Sequence, residues 1–151
     1  MSLLLLFGGA SGVVSVTPIA FGTTLAILMP DECPVGQAVN VYTEAFDDVG
    51  TKVLDEAAQI YVWGFTTAGV RTVEYALTAM TQVGASNLWT SGGWTPTVAG
   101  TYEVVVVAKT AGTAYPVTRA ITVRPQFDPI GLAVDDVLVS RMGNDATLGT
   151  H

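Results

Sequence analysis

Residues 100–109 read Gly-Thr-Tyr-Glu-Val-Val-Val-Val-Ala-Lys, the longest run of strand-forming residues in the chain. Valine is branched at Cβ and stiff at χ1. It loses side-chain freedom in a helix and packs well on a pleated surface, so four in succession favour a strand. Side chains of a strand alternate between two faces, so an unbroken apolar run needs cover on both. This predicts a strand in the middle of a sheet or between layers. Gly100 permits a tight turn just before it.

The rest of the chain supplies partners for that strand. Val39, Val41 and Thr43 alternate with Asn40, Tyr42 and Glu44, the pattern of a half-buried strand. Gln59 to Phe65 is rich in aromatic and β-branched residues. Val70 to Met80 alternates again, with Val73, Tyr75, Leu77 and Ala79 on one expected face. Thr110-Ala111-Gly112-Thr113 reads as a hairpin connection to a strand over Tyr115 to Val123. Leu25 to Met29 is an expected first strand. No segment of convincing length has helical periodicity, and no internal repeat is present. The expected fold is all-β, an antiparallel β-sandwich over residues 25–125, with an apolar N-terminal arm over 1–24 and a tail over 126–151. A jelly roll with similar strand spacing is the rival architecture.

Val98-Ala99-Gly100-Thr101-Tyr102-Glu103-Val104 resembles the segment that opens strand F of immunoglobulin-like domains, where a Gly/Ala-x-Tyr pattern forms a tyrosine corner. Trp63 stands about forty residues earlier, where that family places a core tryptophan on strand C. The stretch from Trp94-Thr95-Pro96 to Ile121-Thr122-Val123 is similar to bacterial and phage Ig-like modules. The two disulfide cysteines of the family are absent. Val104 takes the second position, and Val39 or Val41 the first. Val98 stands where an acidic residue often precedes the corner. The leader Met1-Ser2-Leu3-Leu4-Leu5-Leu6-Phe7 also looks like the openings of some small structural proteins of tailed bacteriophages.

Charge narrows the partners. Only 13% of residues are charged, and the net charge is −7; globular chains usually carry ~25% charged residues. The deficit points to outer surface covered by other chains. The six basic residues are scattered, so no nucleic-acid partner is expected. Residues 1–30 contain no charged residue. The leader lacks a basic n-region, and Leu3 to Phe7 is shorter than the ~7–15 apolar residues of a secretory signal. It is also too short to span a bilayer, which takes ~20 apolar residues, so no membrane partner is expected. The leader is expected to dock on protein, folded back on its own domain or packed on another subunit. Left in water it would aggregate.

Catalysis is not expected. His151 is the single histidine and stands at the end of the sequence. Cys33 is the single cysteine, so neither an internal disulfide nor a cysteine–metal cluster is available. Carboxylates adjacent in a strand, as at Asp31/Glu32, Asp47/Asp48, Asp55/Glu56 and Asp135/Asp136, point to opposite faces. Asp47, Asp48 and Asp55 read as a solvated loop before they read as a Ca²⁺ site. Trp89, Trp94, Tyr61 and Tyr115 could stack on sugar rings or fill a core. The resemblance implies a non-enzymatic, self-associating virion component without a cofactor. A capsid decoration or cement protein is the leading version, followed by a neck, head–tail or tail component touching its capsid, neck or tail neighbours. A carbohydrate-binding or adhesive surface module is the alternative. The expected contact residues are Leu3, Leu4, Leu5, Leu6 and Phe7, with Leu132, Val134, Val137 and Val139.

Overall fold

A computed structural model describes residues 12–20, 22–50, 53–54, 56–65 and 68–126. Every regular element among them is a strand. In chain order they are β1 (Val13–Ala20), β2 (Thr23–Met29), β3 (Glu32–Pro34), β4 (Tyr42–Asp47), β5 (Gln59–Phe65), β6 (Arg71–Ala79), β7 (Thr81–Gln82), β8 (Trp89–Thr90), β9 (Gly100–Thr110) and β10 (Thr113–Arg124). They form two five-stranded sheets. Sheet I has the order β1-β2-β4-β8-β7 and sheet II the order β3-β10-β9-β5-β6. The two sheets enclose one main core, so the fold is a β-sandwich.

The valine run is the centre of sheet II. β9 lies between β10 and β5 and pairs with both. Val104 and Val106 enter the core, while Val105 points outward yet is almost fully screened by its neighbours. The β9–β10 hairpin turns on Ala111 and Gly112, with φ of 48° and 76°. A two-residue turn with both φ values positive matches the twist of the strands it joins.

Alternation fills the interior. Leu25, Ile27 and Met29 of β2 face Ile60 and Val62 of β5, Val104 and Val106 of β9, and Ile121 and Val123 of β10. Val39, Val41 and Val104 are all buried in this core. The expected core tryptophan is corrected here. On β5 the inward positions are Ile60, Val62 and Gly64, so Trp63 points outward and is half-buried. Trp94 fills the interior instead, with its ring 5.0 Å from that of Tyr102 in an edge-on contact. The Tyr102 hydroxyl donates to the Val98 carbonyl at 2.7 Å. A Cβ on Gly64 would stand 2.8 Å from the Tyr102 ring and 2.7 Å from Glu74 Cγ, so that crossing requires glycine.

Two further features shape the edges. β3 pairs with β10 in parallel, through Glu32↔Thr122, Cys33↔Val123 and Pro34↔Arg124. Beside it Arg119 of β10 reaches sheet I, donating to the Val13 and Ile27 carbonyls at 2.8 and 3.3 Å and pairing with Asp31 at 2.7 Å. At the opposite edge of sheet II, the β5–β6 register shifts twice, between Ile60 and Val62 and between Val62 and Trp63. The shifts overturn the even alternation expected of β6. Val73 is exposed beside Trp63, whereas Tyr75 packs against the core.

Candidate interaction surfaces

The contact residues expected from the sequence, Leu3 to Phe7 with Leu132, Val134, Val137 and Val139, lie outside the described residues, as does His151. Among the described residues the outside of the sandwich presents two faces, and they are built differently.

On sheet I the outward side chains of β2 and β4 make a second apolar cluster. Ala26, Leu28 and Leu88 are buried in it, and Tyr42 and Phe46 pack against them. Antiparallel pairing sets Ala26 beside Glu44 and Leu28 beside Tyr42. Val14 and Val16 continue the same face on β1, opposite Leu28 and Ala26. Exposure differs sharply across one strand spacing: Val14 and Val16 are 38% and 58% exposed, Ala26 and Leu28 0% and 2%. Glu44 is 8% exposed, and its Oε2 has no hydrogen-bond partner among the described residues. Burial pushes the Glu44 carboxyl above the usual carboxylate range, because the ionised form loses its hydration there.

Sheet II presents an aromatic and ionic face. Tyr61, Trp63 and Phe65 follow one another along the outside of β5, and the Tyr61 and Trp63 rings meet edge-on at 5.7 Å. The Arg71 guanidinium lies 5.5 Å from the Trp63 ring centre and 5.8 Å from that of Phe65. It also pairs with Glu103 of β9 at 2.5 Å. The cation is thus held by two rings and a carboxylate. Phe65, Val73 and Leu77 remain 45%, 57% and 56% exposed at this edge. A cleft of about 310 Å³ opens at the end of the sheet, lined by Phe65, Thr72, Glu74, Val98 and Tyr102 among others. The Thr72 hydroxyl donates to Glu74 Oε1 at 2.7 Å. Burial, then the nearby Glu74 and Cys33, holds the Tyr102 phenol above its ordinary range.

The four aromatics considered as a sugar platform do not share a surface. Trp94 is buried, Trp89 packs against the core, and Tyr115 lies opposite buried Ala108, while Tyr61 faces outward from sheet II. Asp31 and Glu32 take separate cations, Arg119 and Arg124. Among the described residues no three His, Cys, Asp or Glu side chains group together as metal ligands. Asp55 lies outside the described residues. No helix among the described residues is long and apolar enough to cross a membrane. No family model matches the chain, and no curated protein matches it either.

Glu44 and the Arg71 cluster escape a reading of the sequence by alternation alone. Glu44 falls at an expected outward position of a half-buried strand, which predicts a solvated carboxylate. The available signal is Leu25-Ala26-Ile27-Leu28-Met29. An unbroken apolar strand asks for cover on both faces, and Glu44 is Ala26's neighbour across the ladder.

Proposed function

We propose that the chain is a non-enzymatic structural protein of a tailed-phage virion, built on an Ig-like sandwich. The leading version is a capsid decoration or cement subunit, and a neck or tail component is the next. One observation carries this reading: the β5–β6 side of sheet II and the β1 edge of sheet I expose apolar side chains, Phe65, Val73 and Leu77 on the first and Val14 and Val16 on the second, on a chain with few charges. Contiguous exposed apolar area of this kind marks contact with other protein. The Ig-like assignment is supported by the Tyr102 to Val98 hydrogen bond at the foot of β9 and by the parallel β3–β10 edge.

The function would be mechanical. Copies bound side by side on one lattice multiply individually weak contacts. The exposed β6 positions, Val73 opposite Trp63 and Leu77 further along the strand, are the described residues best suited to such a contact. The test is mass spectrometry of purified particles of the virus that encodes the chain. The protein is expected in fixed stoichiometry with the shell or tail proteins. Val73→Glu together with Leu77→Glu is expected to lower that occupancy about tenfold or more, the factor for about 1.4 kcal/mol of lost contact. Its melting temperature should hardly change. Absence of the wild-type chain from purified particles would overturn the proposal.

A further inference from the structure

We propose that the cleft at the end of sheet II, between Phe65 and Thr101, takes the arginine side chain of a partner protein, with its guanidinium on the Glu74 carboxylate and the Phe65 ring. This is independent of which assembly the protein joins. The cleft, about 310 Å³, stands at the lower end of small-ligand sites, which begin at roughly 300 Å³. It suits the head of one side chain.

The backbone builds this cleft. Pairing of β5 with β9 ends at Trp63↔Glu103, one pair short of Phe65 and Thr101. β9 bonds to β10 through its even-numbered residues, counted from the two-residue turn after Thr110. The N–H and C=O of Thr101 therefore turn towards Phe65, into the cleft that both residues line. A register shift supplies the charge. Val62 pairs with Tyr75 and Trp63 with Val73, which leaves Glu74 between them without a partner on β5. A bulge of this kind re-aims a side chain. Glu74 lies across Gly64, where a Cβ would stand 2.7 Å from its Cγ and 2.9 Å from its Oε1. The Thr72 hydroxyl donates to that Oε1 at 2.7 Å and fixes the carboxylate at the cleft.

Charge selects the occupant. Arg71, Lys109, Arg119 and Arg124 already hold Glu103, Glu56, Asp31 and Glu32. No cation among the described residues is left over for Glu74, so its counter-charge is open to a partner. Shape favours a guanidinium over an ammonium. A planar fork of five donors matches a carboxylate and a backbone carbonyl together while it stacks on a ring. The fold already uses this mode once. Arg71 lies 5.8 Å from the same Phe65 ring and pairs with Glu103, which neutralises it and leaves room for a second cation beside it.

The test is an NMR titration of the isotope-labelled full chain with N-acetylarginine amide, its neutral citrulline analogue and N-acetyllysine amide. The arginine probe is expected to move the Glu74, Thr101 and Tyr102 amides saturably and to leave Ala26 and Leu28 unmoved. The citrulline probe should move none of them, and the lysine probe should bind about threefold more weakly or worse. Glu74→Gln is expected to weaken arginine binding about fivefold, the upper end for a solvent-exposed ion pair, whereas Glu56→Gln should not change it. Phe65→Leu should weaken it as well. Absence of shifts at the cleft, equal shifts from citrulline, or undiminished binding by Glu74→Gln would overturn the proposal. Equal affinity for lysine would overturn the assignment to arginine. The citrulline comparison uses the wild-type chain, so it decides the point whether or not a variant folds.

Discussion

The two outer faces of this sandwich solve the same problem in opposite ways. Each has apolar side chains turned away from the core. On sheet II they are held open: Arg71 lies against Trp63 and Phe65, Glu103 holds the arginine, and the cluster is complete without further cover. On sheet I Ala26, Leu28 and Leu88 are buried together against Tyr42 and Phe46, and the Glu44 carboxylate is buried with them. The contrast shows that an outward position in a strand is not the same as an exposed one. The side chains that pack over a position decide its burial, and burial decides both stability and protonation.

Three measurements test the contrast, the largest effect first. Leu28→Ala is expected to cost about 2–3 kcal/mol in urea unfolding, as for a buried core residue. Phe65→Ala on the open face is expected to cost less than about 1 kcal/mol, because much of that ring is already in water. Equal losses would erase the distinction between the faces.

Next comes pH. The Glu44 carboxyl is raised in the folded state, so the folded state holds its proton more tightly than the unfolded one. This contribution is fully present below the ordinary glutamate value of about 4.3 and is lost as pH rises through the raised folded value. Glu44→Gln should therefore unfold at higher urea than wild type at pH 7, by about 1 kcal/mol, with the gain shrinking towards pH 4. An identical gain at both pH values would show that the carboxylate is not desolvated.

The smallest effect belongs to Arg71. The pair with Glu103 is solvent-exposed on the arginine side, and such pairs contribute about 0–1 kcal/mol. Arg71→Ala should lower stability by no more than that, while shifting the Trp63 emission as the ring loses its cation. A loss above about 2 kcal/mol would mean that the open face, too, depends on a buried network.

The sandwich was legible because its signals are local. Four adjacent valines demand a strand covered on both sides, and β9 has that place in the middle of sheet II. The Ala111-Gly112 turn and the strand that follows it were equally plain. The phase of β5 was not. The Ig-like resemblance implies an inward Trp63, but Gly64 must face inward to make room for the Tyr102 ring, and its neighbour is then forced out. The β6 irregularities also lie beyond the sequence, since a register shift is a relation between two strands and neither carries it alone. For the surfaces, alternation assigns residues to a face but says nothing of which neighbours pack over them. Glu44 was hidden for that reason.

The double shift in β6 has a consequence for crowding. A straight nine-residue edge with bare backbone donors would let one copy add to the next without end, as in a fibre. An edge broken in two places offers no continuous ladder for such growth. Along this edge, contact between crowded copies falls to side chains rather than to a shared backbone ladder.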